Sequence, residues 1–221
     1  MKQMYPDLWV TEPEYPFPDF PDLMMCGYLL VREEGNVLFS RSEHQADHRQ
    51  IKDRGGITRQ YLTHWHEAGP GLARIKEMFG SKLVTHRFAE DRTRKFSAVD
   101  LTFDKREMHL GNVEVIPSPG HTPGSACFLY RSPHGKSYLF AGDTLYPSRG
   151  GWEAIVLEDG DADQLKRSLT MLRGVEPDVL LCGVAVADTP YREMTQDEWH
   201  GALQQAARAL DASAVKEAAR R

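Results

Sequence analysis

The sequence predicts an α/β fold of two similar halves, with sheets packed together inside and helices outside. Two observations predict it. Apolar segments of strand length and amphipathic segments follow one another as strand-rich, helix-strand, strand-rich, helix-strand-helix. In addition, three strands give way to turns that carry histidine or carboxylate: Thr63-His64-Trp65-His66-Glu67, Pro119-Gly120-His121-Thr122-Pro123-Gly124 and Ala141-Gly142-Asp143-Thr144. At 221 residues the chain can form one domain with a substantial core or two small ones. No linker divides it, so a single domain over 1–221 is expected, with 1–22 as an extended N-terminal arm and 195–221 as a C-terminal helix.

Taken in order, residues 11–22 hold four prolines and read as an extended stretch on the surface. Gly27 to Val31 and Val37 to Phe39 form a hairpin closed by Glu34-Gly35-Asn36. Ser40 to Arg54 is polar and helical, and His44 and His48 are expected on an exposed face. Ile57 to Thr63 is a strand ending at His64. A helix follows, with Pro70 in its first turn, Leu72, Ile75 and Phe79 as its apolar stripe and Gly80 as its stop. Lys82 to Thr85, Val99 to Phe103, Met108 to Leu110 and Val113 to Ile116 are strands, the last two joined by Gly111-Asn112. Ala126 to Tyr130 and Tyr138 to Ala141 make another hairpin. Asp161 and Gln164 resemble a capping box for a helix whose buried face is Leu165, Leu169 and Leu172. Val179 to Cys182 is a strand. Thr195 and Glu198 open the C-terminal helix, with Trp199, Leu203 and Leu210 facing inward.

Composition narrows the function classes. The chain is 41% hydrophobic and 27% charged, ordinary for a soluble globular protein. A net charge of −5 and a pI of about 6.0 leave no electrostatic footprint for nucleic acid. No apolar run reaches the roughly 18 residues of a membrane span, and the first residues do not resemble a signal peptide. The three cysteines, Cys26, Cys127 and Cys182, are odd in number and widely spaced, which fits a reducing cytoplasm.

The chemistry lies in the turns. On a strand, side chains two apart share a face, so His64 and His66 can chelate one ion. An isolated pair of this kind is more often two rim residues. Here His121 and Asp143 stand at two further junctions of the same type, and such convergence from three separate loops is a much rarer accident. Trp65, Tyr146, Arg149 and Trp152 fall on loops that border the same cleft. Aromatic rings and one arginine would suit an apolar substrate bearing an anionic group, although plain packing explains them as well.

These segments resemble the metallo-β-lactamase superfamily, over most of the chain from Gly27 to Cys182. Thr63 to Gly69 matches its T-H-x-H-x-D-H motif, Ser118 to Ser125 its third-histidine loop, and Gly142-Asp143 its bridging aspartate. The resemblance implies a four-layer αββα sandwich and a first metal held by His64, His66 and His121. It also shows what is missing. Ala68 stands for the motif aspartate and Gly69 for its last histidine, and Gly183-Val184 occupies the place of the final histidine. Glu67 falls on the motif's variable position, where one step along the chain turns its side chain away from its neighbours.

Asp143 is then the sole carboxylate in the motif positions, and a second cation would be short of both ligands and charge. The expectation is one divalent ion bound by His64, His66, His121 and Asp143, with zinc as first choice and iron as second. Three histidines with an open position form a known catalytic zinc arrangement. The first functional reading is a hydrolase in which metal-bound hydroxide attacks a small ester, thioester or lactone, Asp143 completing the coordination or holding the hydroxide in line. The second is an oxidoreductase similar to persulfide dioxygenases, with His64, His121 and Asp143 as a two-histidine, one-carboxylate iron set. The third is a catalytically degenerate metal-binding or scaffold protein. Cys182 is a candidate soft ligand, weighed against its commoner use as a small buried hydrophobe.

Overall fold

The computed structural model describes residues 1–157 and 159–218. Two sheets face each other between helices, giving the αββα sandwich. The first has seven strands in the spatial order Lys2–Tyr5, Leu8–Val10, Tyr28–Leu30, Val37–Phe39, Arg59–Tyr61, Lys82–His86 and Leu101–Phe103. The second has six, in the order Tyr191–Glu193, Val179–Cys182, Ser137–Gly142, Ala126–Arg131, Val113–Pro117 and Glu107–His109.

Period-two alternation sorts the side chains into layers. Along Ala126–Arg131, Phe128 and Tyr130 join the core between the sheets, whereas Cys127 and Leu129 pack under the outer helices. The first sheet sends Leu8, Tyr28, Leu30, Phe39 and Tyr61 into that inner core. Phe39 stacks on Phe140 across it, with ring centroids 3.8 Å apart. Each such fully buried apolar side chain contributes about 1.5–3 kcal/mol. Helices Gln45–Asp53 and Gly71–Phe79 cover the outside of the first sheet through Ile51, Ile75 and Leu72. Helices Ala162–Leu172 and Gln196–Ala218 cover the second through Leu165, Leu169, Trp199 and Leu203.

Both helix starts carry the caps read from the sequence. Asp161 accepts from the Gln164 N–H at 2.8 Å. Thr195 and Glu198 cap each other, with the Thr195 N–H donating to Glu198 at 2.8 Å and the Glu198 N–H to the Thr195 hydroxyl at 3.3 Å. The C-terminal helix was expected to reach 221; residues 219–221 lie outside the described residues.

Four expectations need correction. Residues 1–22 are not all arm, because Lys2–Tyr5 and Leu8–Val10 form an edge hairpin of the first sheet. The apolar Leu8 and Val10 face the core, and the turn residue Asp7 is tied to the second sheet by Tyr138 and Ser132 at 2.8 and 2.7 Å. The helix expected over Ser40–Arg54 begins only at Gln45, and its polar face is partly buried. Asp47 accepts the Ser42 hydroxyl at 2.7 Å, and His48 bonds the Ser42 carbonyl at 2.7 Å. The run of strands after Val99 is split between sheets. Leu101–Phe103 pairs with Lys82–His86, while Glu107–His109 pairs with Val113–Pro117. Finally, the pairing of His64 with His66 does not come from strand alternation. Strand Arg59–Tyr61 stops earlier, and Trp65–Glu67 is a single 3₁₀ turn.

Strands Val113–Pro117, Ser137–Gly142 and Val179–Cys182 run in one direction, since the first two are each antiparallel to Ala126–Arg131 and the last two are parallel. Their carboxyl ends therefore open on one edge of the sandwich, as ligand-bearing loops do in α/β folds. The Ala126 N–H donates to the Thr63 carbonyl at 2.8 Å, which joins the first sheet's loop to that edge.

Candidate metal centre

Three loops meet there, and each is fixed by contacts that tolerate little change. Gly142 has φ +53°, and a Cβ on it would collide with the Thr63 side chain. Only glycine allows the Asp143 turn to lie so close to the histidine turn. Gly120, at φ +136°, packs its Cα against the backbone of Leu165 at the start of a helix. The Asp161 N–H to Gly120 carbonyl bond, 2.8 Å, and the Ser168 hydroxyl to Pro119 carbonyl bond, 2.6 Å, hold the His121 loop on that helix.

On this frame His64, His66 and His121 converge. One ring nitrogen from each lies within 4.8 Å of the others. Ring centroids are 5.1 Å apart for His64–His66, 4.7 Å for His64–His121 and 5.0 Å for His66–His121. Asp143 completes the group, its Oδ2 lying 3.4 Å from His64 Nε2 and 3.8 Å from His121 Nε2.

The outer nitrogens settle which atoms face the centre. His121 Nδ1 lies 2.9 Å from the Ile155 carbonyl, which can only accept, so Nδ1 carries the proton and Nε2 presents a lone pair inward. The Thr63 hydroxyl donates to Glu67 at 2.9 Å and therefore accepts from His64 Nδ1, also at 2.9 Å. His64 Nε2 is thus left inward-facing and buried, with Asp143 Oδ2 3.4 Å away but no hydrogen bond of good geometry. His66 turns its Nδ1 toward His121 Nε2, 3.1 Å away. Three ring nitrogens that converge within 4.8 Å of one another beside a carboxylate fit a metal ion, and metal-binding imidazoles are commonly oriented through their other nitrogen in this way.

Charge agrees with geometry. Burial and the two neighbouring imidazoles push the His66 pKa down to about 4. Burial and His64 lower that of His121. Burial opposes ionisation of both members of the His64–Asp143 pair, yet their mutual attraction overrides it, raising the imidazole and lowering the carboxyl. Asp143 is thus a carboxylate poised against a positive centre.

Glu67 is buried and accepts from the Thr63 N–H and hydroxyl at 2.7 and 2.9 Å, so it orients Thr63. Ala68 and Gly69 supply no donor, and the Arg41 guanidinium lies against Gly69, within about 3.0 Å of where a Cβ would be. Arg41 is held by Glu14 and Glu43 at 3.0 and 2.7 Å. Val184 is buried and apolar. Cys182 belongs to the core under the helices and is fully buried.

Above the histidines lies a cavity of about 370 Å³. Its floor is His66, His121 and Asp143; its walls are Trp65, Tyr146, Val184, Leu23, Met25, Phe17, Phe20, Ile155 and Leu157. Trp65 and Tyr146 border the cleft as the sequence suggested. Arg149 does not: it pairs with Asp22 at 2.6 Å, and Trp152 packs against the outer core beneath Arg192. The walls from the proline-rich stretch and from Ile155–Leu157 escaped the sequence reading. The aromatic residues Tyr15, Phe17 and Phe20 set among prolines were their one available signal.

A family model described as the metallo-beta-lactamase superfamily matches residues 43–184. Among solved structures, a metallo-beta-lactamase from Cronobacter sakazakii aligns with a TM-score of 0.69 at 17% identity, covering 95% of this chain and 100% of that one. A metallo-beta-lactamase from Pontibacter korlensis aligns at 0.70 and 20% identity, over 92% and 97%. ETHE1 from Myxococcus xanthus aligns at 0.60 and 18%, over 88% and 90%. At these identities the likeness is one of fold.

Proposed function

We propose that this chain, which belongs to the metallo-beta-lactamase superfamily, is a hydrolase that uses one metal ion, zinc, to cleave a small ester, thioester or lactone. The observation that carries the reading is the inward convergence of His64, His66 and His121, with His64 Nε2 buried and lacking a hydrogen bond of good geometry, beside the Asp143 carboxylate. A metal ion held there would acidify a water toward a pKa of about 7 and polarise a carbonyl oxygen.

The chain's own residues do the rest. The Ile155 carbonyl and the Thr63–Glu67 pair hold His121 and His64 in the tautomers that present Nε2. Asp143, kept ionised, accepts a hydrogen bond from the attacking water and holds it in line with the carbonyl carbon. The apolar walls exclude other water from the acyl group. Hydrolysis adds that water across the acyl–oxygen or acyl–sulfur bond and yields an acid and an alcohol or thiol. Support for a single ion is the absence of side-chain donors at Ala68, Gly69 and Val184, with Arg41 packed against Gly69. One ion leaves the departing group without a cation of its own, which favours thioesters and lactones over amides.

Elemental analysis of protein purified without added metal, together with thioester and lactone hydrolysis assays, tests this. About one zinc per chain with turnover supports it. Two ions, no ion, or β-lactams cleaved as readily as thioesters overturns it. His64, His121 and Asp143 also make a two-histidine, one-carboxylate set, so bound iron with persulfide-dependent oxygen uptake would replace the hydrolase with an oxidoreductase. The three cysteines are free and buried, which supports a reducing compartment, the cytoplasm.

A further inference from the structure

Resting on the hydrolase reading, we infer that the substrate is an uncharged ester or thioester whose acyl part is an aliphatic chain, lodged in the 370 Å³ cavity above His66 and His121. The reason is the lining. Apart from His66, His121, Asp143 and the tyrosine and tryptophan rings, every wall is hydrocarbon or thioether. No lysine or arginine borders it among the described residues. A substrate carboxylate or phosphate at the far end of the acyl part would be stripped of water against hydrocarbon walls, with no counter-charge from the chain, a heavy cost.

The cations that could have served are engaged elsewhere. Arg149 is paired with Asp22. Arg92 borders an adjoining cavity that shares Trp65, His66 and Leu157 with this one; there it lies over the Trp65 ring at 4.2 Å and pairs with Asp159 at 3.4 Å. The apolar lining continues to the surface. Phe17, Phe20, Ile155 and Leu157 are 43%, 65%, 40% and 43% exposed, and all four also line the cavity. Large side chains left this bare around a cleft mark a place where apolar surface is to be covered. A flexible hydrocarbon chain of matching bore does that, and each methylene it buries adds affinity.

Calorimetry with methyl n-alkyl ketones, which mimic the ester carbonyl without being cleaved, tests the inference on the metal-containing and the chelator-treated protein alike. From butanone to decanone, affinity is expected to rise about fourfold per methylene until the cavity is filled. On the chelator-treated protein, the same ketones ending in a carboxylate should bind at least about tenfold more weakly. The double variant Phe17→Ser/Phe20→Ser, or Leu157→Ser alone, should flatten the rise with chain length. Affinity independent of chain length, or equal for the carboxylated ketones, overturns the inference. Chain-dependent binding without ester turnover would keep the ligand class and remove the hydrolase; turnover of acetyl esters with chain-independent binding would do the reverse.

Discussion

At and just beneath the floor of the cleft His121 and His64 are 1% and 2% exposed, and each ring is fixed through its outer nitrogen. At its mouth Phe17 and Phe20, from a proline-rich stretch with a single β-bridge at Glu14–Met25, are more than 40% exposed. The floor gathers residues from three loops and two sheets, locked by close backbone approaches. The mouth gathers side chains that present bulk but carry no load of the sandwich. Groups that must meet an ion within tenths of an ångström are over-determined, whereas groups that only cover hydrocarbon need not be. Substitutions should therefore split cleanly between the two regions.

The largest effect is expected from His121→Ala, which removes one inward nitrogen. Metal affinity should fall well over 100-fold, more than the ~10–100-fold usual for losing a residue that merely orients a ligand. Equilibrium dialysis against a zinc buffer reads this directly, and retained stoichiometric zinc would refute the assignment. Gly142→Ala should be almost as severe while touching no ligand. A forced contact with Thr63 at a left-handed φ costs about 2–4 kcal/mol, visible as a lowered urea midpoint. An unchanged midpoint would show that the loops are not locked as described.

Thr63→Val tests how far the floor depends on orientation. It leaves the histidines in place but deprives His64 Nδ1 and Glu67 of a partner. A ~10–100-fold weaker metal affinity is expected, with less change in overall fold stability than Gly142→Ala. Against these, Phe20→Ser should alter stability by no more than about 0.5 kcal/mol, because the ring is already mostly in water. A loss of several kcal/mol would mean that the mouth supports the fold after all.

The smallest effect on the cleft should come from a site remote from it. Asp178 accepts from the Ser137 N–H and hydroxyl at 2.7 and 2.8 Å, and these bonds hold its carboxyl below the usual range. A lowered folded-state pKa stabilises above the unfolded value and is lost as pH falls through the folded one. Asp178→Asn should therefore be the less stable protein at about pH 7, and the gap should narrow at about pH 3. A gap that widened in acid would contradict the sign. Ser137 begins the strand that ends at Gly142, just before Asp143, so the same variant shows whether a change at the start of that strand reaches the floor.

By itself the sequence determined the local features. Hydrophobic period marked most strands and the helices Gly71–Phe79, Ala162–Leu172 and Gln196–Ala218, because alternation and amphipathic stripes are properties of consecutive residues. The caps at Asp161 and Thr195 were legible for the same reason, and so were the three turns bearing His64, His66, His121 and Asp143. Tertiary structure decided whatever required two distant segments to compete for one place. It sent Leu101–Phe103 and Glu107–His109 to different sheets, although each reads as an ordinary short strand. It drew Leu8 and Val10 into the core and buried Asp47 and His48 in a helix that looks solvated. It also turned Arg149 toward Asp22 and left hydrocarbon to line the cleft. The physical reason is that propensity and spacing act over a few residues, whereas burial and charge pairing depend on what the rest of the chain brings alongside.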